Sequence, residues 1–265
     1  MDILYSELCL IGGNVLDNVD RMIRGGARHI ELMIDGQGWD SVRDKMEETA
    51  RLLGEKPVTY TVHMPVWDVN LTCQNHIMRE AVKELIRQAI VFASQLRASY
   101  VVIHPGFHRC PLFSRERDRE IARQSMLELL DFNRKYGMLL LVENVGVNGT
   151  SLFTPEEFSV FLDGMPEKAG YLFDIGHAHV NHWDLCRIIS ALGKRLYAVH
   201  LHDNHGKSDE HLPIGEGTVD WDSVFSAIRE NGNIRHLVLE YNAGTPLEKL
   251  EEGKGILQNE LGIRD

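Results

Sequence analysis

The sequence predicts an α/β protein built as a single (β/α)8 barrel over residues 1–265. Two observations carry that expectation. A short apolar, β-branched run, a polar turn and a helix-patterned segment recur eight times, with no linker, no Pro/Ser-rich break and no shift in composition. The turn after the first run, Gly12-Gly13-Asn14, is not the G-x-G-x-x-G phosphate turn usual in a doubly wound open sheet, which leaves that architecture the weaker alternative.

The strand-like runs cover residues 3–11, 29–34, 58–63, 100–104, 138–143, 170–174, 196–200 and 237–240. The first helical segment, 14–24, opens on Asn and ends at Gly25-Gly26, and the second, 41–53, ends at Gly54. Residues 72–96 carry Ile77, Ala81, Leu85, Ile86, Ala89, Ile90 and Ala93 at helical spacing. Residues 114–136 end at Gly137. Thr154-Pro155-Glu156-Glu157 is a helix start, with a capping Thr, Pro at the first helical position and acids in the first turn. Segments 185–192, 222–231 and 246–261 complete the set.

Composition excludes several classes. Hydrophobic residues at 43% and charged residues at 25% are ordinary for a globular chain and too apolar for a disordered one. The 28 Lys+Arg against 39 Asp+Glu give a formal net charge of −11, so bulk charge attracts neither nucleic acid nor anionic lipid. No stretch approaches the roughly 18 apolar residues of a membrane span. The start, Met1-Asp2-Ile3-Leu4-Tyr5-Ser6, has no basic n-region or signal-like core. Cys9, Cys73, Cys110 and Cys186 lie far apart and form no CxxC pair, so free thiols and a cytoplasmic location are expected.

The chemistry is read from the C-terminal ends of the strands. Strands three to eight finish at His63, His104, Glu143, Asp174, His200 and Glu240. One polar residue after a strand is most simply a loop residue. Six in register converge on the rim where barrels build their sites. Burying so many carboxylates and imidazoles together is costly unless cations neutralise them, and imidazole with carboxylate suits divalent metals such as Zn or Mn. The loop after strand seven adds Asp209 and His211, whose i, i+2 spacing on an extended segment presents both to one ion. The plain alternative for that pair is a solvated loop, and the Gly215-Glu216-Gly217 turn that follows favours a loop held against the rim.

His104-Pro105-Gly106, Glu143-Asn144, Asp174-Ile175-Gly176-His177, His200-Leu201-His202-Asp203, Gly215-Glu216-Gly217 and Glu240 together resemble the xylose isomerase-like TIM barrels. That superfamily joins sugar isomerases and epimerases to the type IV apurinic endonucleases. The resemblance covers nearly the whole chain, and its motifs are specific for the superfamily, not for one reaction. It implies one divalent ion held by Glu143, Asp174, His200 and Glu240, with the two glutamates flanking a substrate carbon and shuttling its proton through a metal-stabilised enediolate. His177 would bind a substrate oxygen.

His211 departs from the epimerase pattern, since the better-known epimerases carry Arg there. The Asp-x-His of the endonucleases matches instead, and so do all nine of their ligand types for three zinc ions. Those would be His63, His104 and Glu143; Glu143, Asp174, His200 and Glu240; and His177, Asp209 and His211. The expected cofactor is therefore a divalent metal, Zn or Mn, at one to three ions per chain. The loops after strands two and three, Asp35-Gly36-Gln37-Gly38-Trp39-Asp40 and Met64-Pro65-Val66-Trp67-Asp68, lack the basic residues that grip a duplex and pull the reading back toward sugars. So do the phrases Glu31-Leu32-Met33 and His200-Leu201-His202-Asp203-Asn204.

Trp39 and Trp67 suit walls over a sugar face, a stacking wedge for a base, or helix packing. His108-Arg109 and Lys207 suit an anionic group on the substrate, or merely solvated loops. His202 and His179 are read as outside the ligand set, and His29, His76, His182, His205 and His236 have no convergent partner in the sequence.

Three functions are carried forward. The first is a metal-dependent sugar or sugar-phosphate isomerase or epimerase. The second is a polynuclear zinc phosphodiesterase such as an apurinic endonuclease. The third is a non-catalytic binding barrel. The expected partner is a small sugar or sugar phosphate, with neither nucleic acid nor membrane favoured; a homo-oligomer is left open.

Overall fold

The structure is a computed structural model and describes residues 1–40 and 43–264. Eight parallel strands close in chain order: β1 Asp2–Ser6, β2 His29–Met33, β3 Thr59–His63, β4 Tyr100–Ile103, β5 Leu139–Glu143, β6 Ala169–Asp174, β7 Leu196–Leu201 and β8 His236–Leu239. β8 returns to β1 in a ladder from Asp2↔His236 to Tyr5↔Leu239. Outside lie α1 Val15–Arg24, α2 Gly36–Asp40, α3 Met46–Gly54, α4 His76–Leu96, α5 Arg115–Asn133, α6 Pro155–Val160, α7 Ile175–Val180, α8 Leu185–Leu192, α9 Trp221–Glu230 and α10 Leu247–Leu261. Among the described residues no helix is long and apolar enough to cross a membrane.

Side-chain alternation splits the apolar residues into two cores. Tyr100, Val102, Leu141, Leu172 and Ala198 pack together inside the barrel. Their chain neighbours Val101, Ile103, Leu140, Val142, Phe173 and Val199 belong to the larger core between strands and helices. Two residues on from each inward side chain the next one also points inward. Val102 leads to His104, Leu141 to Glu143, Leu172 to Asp174 and Ala198 to His200. Period two thus delivers the polar strand ends to the axis above a small apolar plug.

Several boundaries differ from the sequence reading. The first run, expected over 3–11, stops as a strand at Ser6, whose Oγ accepts from Leu8 N–H and starts a 3₁₀ turn over Glu7–Leu10. The helix expected from 72 begins at His76 with Asn75 as its cap, because the Thr72 hydroxyl is engaged by Asn70 and the Phe107 carbonyl. Residues 41–42 of the expected 41–53 helix lie outside the described residues; a 3₁₀ turn over Arg43–Lys45 leads into α3. The capping box at Thr154 and Glu157 forms as the pattern predicts. α7 is unforeseen: Asp174 ends β6 and caps this helix, accepting from His177 N–H at 2.6 Å.

Candidate metal centre

The loops above the barrel are tied down by buried side chains. Asp203 accepts from the backbone N–H groups of Asn204, Gly215 and Val219 and from the Trp221 indole N–H, which anchors the Gly215-Glu216-Gly217 turn to β7. A Cβ at Gly217 would collide with the Asp203 carboxylate, so the close approach requires glycine. Leu212 and Asp203 exchange backbone hydrogen bonds and bring Asp209 and His211 over the barrel mouth. His211 itself holds a left-handed φ of 47°, a conformation that a non-glycine residue keeps only when its surroundings enforce it.

Three groups of metal-ligand type result. His63 Nε2 and His104 Nε2 lie 3.2 and 3.0 Å from Glu143 Oε2. His200 Nδ1 lies 3.2 Å from Glu240 Oε2, 3.5 Å from Asp174 Oδ2 and 3.6 Å from Glu143 Oε1. His177 Nε2 and His211 Nε2 lie 3.0 and 3.2 Å from Asp209 Oδ2. His63, His104 and Glu143 converge as the expected triad; the loop group gathers His177, Asp209 and His211 together with His202, and the expected tetrad is divided between Glu143–Asp174–His200 and Glu31–His200–Glu240.

Burial alone would lift Glu143 above the carboxylate range, but the imidazoles of His104 and His200 hold it well below. Burial is likewise overcome at Asp174 by His177 and His202, and at Asp209 by His177 and His211, so both carboxyls stay strongly acidic. Glu240 falls to about 2 beside His200 and His211. The imidazoles answer in kind. Against burial, Asp174 and Asp209 keep His177 well above the ordinary range, and Glu240, Glu31 and Glu143 do so for His200. Asp209 lifts His211 to about 9. At His104 burial prevails and its imidazole is pushed down.

The donor set fits a divalent cation. Four histidines have one ring nitrogen held from outside the cup and the other aimed into it. The Nδ1–H groups of His63, His177 and His211 donate to the carbonyls of Met64, Asn144 and Glu240 at 2.8, 3.1 and 3.0 Å. His200 Nε2–H donates to Glu31 Oε1 at 2.8 Å. Histidines that hold metals are oriented in this way. His200 Nδ1 is buried and makes no hydrogen bond while three carboxylates surround it, as does Asp209 Oδ1 at the loop site. A cation accounts for both atoms, and it replaces the protons that otherwise neutralise the cup.

The centre opens into a cleft of about 770 Å³ that also exposes Trp67, Phe107, His108 and Arg109. Asp35 holds the Trp67 loop by accepting from Val66 N–H and Trp67 N–H at 2.7 and 2.9 Å. His108 faces the cleft with its Nδ1 2.6 Å from Asp118 Oδ2. Two expected substrate contacts are corrected. Trp39 is buried edge-on against Phe92, with ring centroids 5.1 Å apart, and serves as helix packing. Lys207 is exposed on the loop that the Asp203–Leu212 bridge closes and does not line the cleft, which takes only Asp209 and His211 from that loop.

Two residues outside the sequence-derived ligand set belong to this region. His202 is fully buried, places Nε2 3.0 and 3.1 Å from the two Asp174 oxygens and stacks on His211 at 3.8 Å. Its ring occupies the space a Cβ at Gly176 would need, which explains the glycine in Asp174-Ile175-Gly176-His177. Alternation was the available signal: His202 is two residues beyond His200 and faces the same way. Glu31, the acceptor for His200, likewise sits on the inward face of β2.

Residues 19–260 match the family model of the xylose isomerase-like TIM barrel. An uncharacterised protein of Methanocaldococcus jannaschii is 32% identical over 234 residues, covering 86% of this chain and 79% of the relative. A probable endonuclease 4 of Protochlamydia amoebophila is 26% identical over 255 residues, covering 85% and 87%. Among solved structures, a D-tagatose 3-epimerase-like protein superposes with a TM-score of 0.86 at 26% identity, covering 99% of this chain and 97% of that one. The chain belongs to the xylose isomerase-like TIM barrel family.

Proposed function

We propose that this protein is a divalent-metal-dependent sugar or sugar-phosphate isomerase or epimerase working by proton transfer. One observation carries the reading. Glu143 and Glu240, two carboxylates on different strand ends, both face the cleft and flank the inward nitrogen of His200. The likeness to a D-tagatose 3-epimerase-like protein supports it.

Glu143, Asp174, His200 and Glu240 would hold the ion. When bound, it supplies Lewis-acid polarisation of neighbouring substrate oxygens, which acidifies the C–H between them. One glutamate accepts the substrate C–H proton, and the bonding pair passes into the C=C of an enediolate. In an epimerase the other glutamate, an anion at rest among the imidazoles, first takes a proton from solvent and then delivers it to the opposite face; in an isomerase the first glutamate returns its proton to the adjacent carbon. His177 orients a substrate oxygen, and Trp67 and Phe107 cover the apolar face of the ring and limit water. Arg109 and His108 at the cleft edge suit an anionic group such as a phosphate.

The test is exchange of a substrate C–H proton with solvent deuterium, scanned over ketoses and ketose phosphates with added zinc or manganese. Glu143→Gln and Glu240→Gln should each abolish exchange. Full exchange in both variants would refute the mechanism.

The third cluster, His177 with Asp209 and His211, favours a second reading as a zinc phosphodiesterase, which the likeness to a probable endonuclease 4 also supports. Among the described cleft-lining residues Arg109 is the sole Lys or Arg, which weighs against a duplex substrate. Chelator-sensitive incision of an abasic duplex at low salt, with three zinc ions per chain, would favour this reading over the first.

A further inference from the structure

We infer that Glu31 is a positioning residue for the metal centre. It fixes the ring orientation and tautomer of His200 so that Nδ1, and not Nε2, is presented to the ion. The inference rests on the reading that the cup holds a divalent metal. Glu31 is fully buried on the inward face of β2, below the strand ends that form the cup. Its Oε1 lies 2.8 Å from His200 Nε2. Its Oε2 accepts from the Thr61 hydroxyl at 3.0 Å and from the Tyr100 hydroxyl at 3.4 Å.

Both carboxylate oxygens are thus occupied by donors from three separate strands. A carboxylate accepts only, so the nitrogen that faces it must carry the hydrogen. His200 Nδ1 is then the nitrogen that faces Glu240, Asp174 and Glu143, and the one whose proton a bound cation would replace. His63, His177 and His211 are oriented by neutral backbone carbonyls. Of these four, only His200 hydrogen-bonds a carboxylate through its outward nitrogen; Nδ1 of His177 and of His211 also lies 3.3 and 3.5 Å from Glu143 Oε1 and Glu240 Oε2 but donates to a carbonyl. A carboxylate behind an imidazole raises its donor strength toward a metal as well as fixing its direction. The arrangement also gives the otherwise uncompensated charge of Glu31 a partner in a dry interior.

Glu31→Gln keeps the shape and removes the charge, and Thr61→Val removes one support of Glu31 without touching His200. Zinc binding is measured by competition with a graded chelator, alongside imidazole ¹⁵N shifts of His200 and far-UV circular dichroism. Glu31→Gln should weaken one zinc site about 10–100-fold while the remaining sites and the fold persist; Thr61→Val should weaken the same site less. The zinc-loaded wild-type spectrum should report a protonated Nε2 and an unprotonated Nδ1. Should Glu31→Gln not fold, Glu31→Asp should fold and weaken the same site. Wild-type zinc affinity in the charge-removing variant, or a zinc-loaded wild type with the proton on Nδ1 and the metal on Nε2, would overturn the inference alone. A wild-type chain that retains no zinc would overturn it together with the metal reading.

Discussion

Glu7 and Glu143 are two buried carboxylates on opposite sides of the same barrel, and they behave in opposite ways. Glu7 follows β1 and accepts from Asn18 Nδ2–H at 2.9 Å and Met33 N–H at 3.2 Å. Burial dominates there and pushes its carboxyl up to about 7. Glu143 ends β5 among His63, His104, His177 and His200, and those imidazoles hold it well below the ordinary range. Equal burial therefore yields a structural acid that keeps its proton up to about pH 7 on one side and an anion in a ligand cup on the other. What separates them is convergence: the cup draws titratable side chains from β3 to β8, whereas β1 and its turn supply mainly neutral dipoles. Function is carried by the convergent groups, not by burial itself.

The sharpest way to break this comparison is to remove each carboxylate's charge in turn. Glu143→Gln should cut turnover by about 10²–10⁴-fold and lower the bound metal, read by steady-state kinetics and elemental analysis. Glu7→Gln should leave metal content unchanged, and loss of metal there would erase the distinction.

Metal loading should stabilise the cup side alone. At about a thousandfold excess over the dissociation constant, zinc should add about 4 kcal/mol to unfolding of the wild type. Glu143→Gln should gain clearly less, as measured by urea denaturation with and without chelator.

The pH dependence should separate the two sides further. Glu7 titrates near 4.5 unfolded and at about 7 folded, so its contribution is full below 4.5 and is lost as pH rises through 7. The loss is about 3 kcal/mol, and Glu7→Gln should flatten it. His211 is also raised, from 6.5 to about 9, so in the metal-free chain its contribution is full below 6.5 and is lost as pH rises through 9. Zinc loading should abolish this second window, because a ligating imidazole is already deprotonated. Denaturation curves of metal-free and zinc-loaded protein across both windows test the pair.

The smallest effects are expected at the cleft edge. Trp67→Ala should raise KM severalfold, equivalent to about 1 kcal/mol of lost aromatic contact, without changing stability. Lys207→Ala should change neither.

Much of the centre is legible in the sequence because strand alternation is strict. His104, Glu143, Asp174 and His200 stand two residues beyond apolar residues that face the barrel axis, and a linear reading of strand ends finds them. Asp209 and His211 are legible by their i, i+2 spacing ahead of a glycine turn. The two tryptophans are less so, because both follow strands in polar loops. Only the fold turns Trp39 onto Phe92 and leaves Trp67 at the cleft. Glu31 and His202 are hidden for a related reason: their partners are 169 and 28 residues away in the chain.

The barrel, the inward face of each strand and the polar groups at the rim follow from the residue order alone, because period-two alternation and helix capping are local properties. Which nitrogen of each histidine faces the cup, which tryptophan packs and which lines the cleft, and the place of Glu31 behind His200 are set by the closed fold. Those outcomes depend on contacts between strands distant in the chain, and closure of the barrel is what brings them within hydrogen-bonding range.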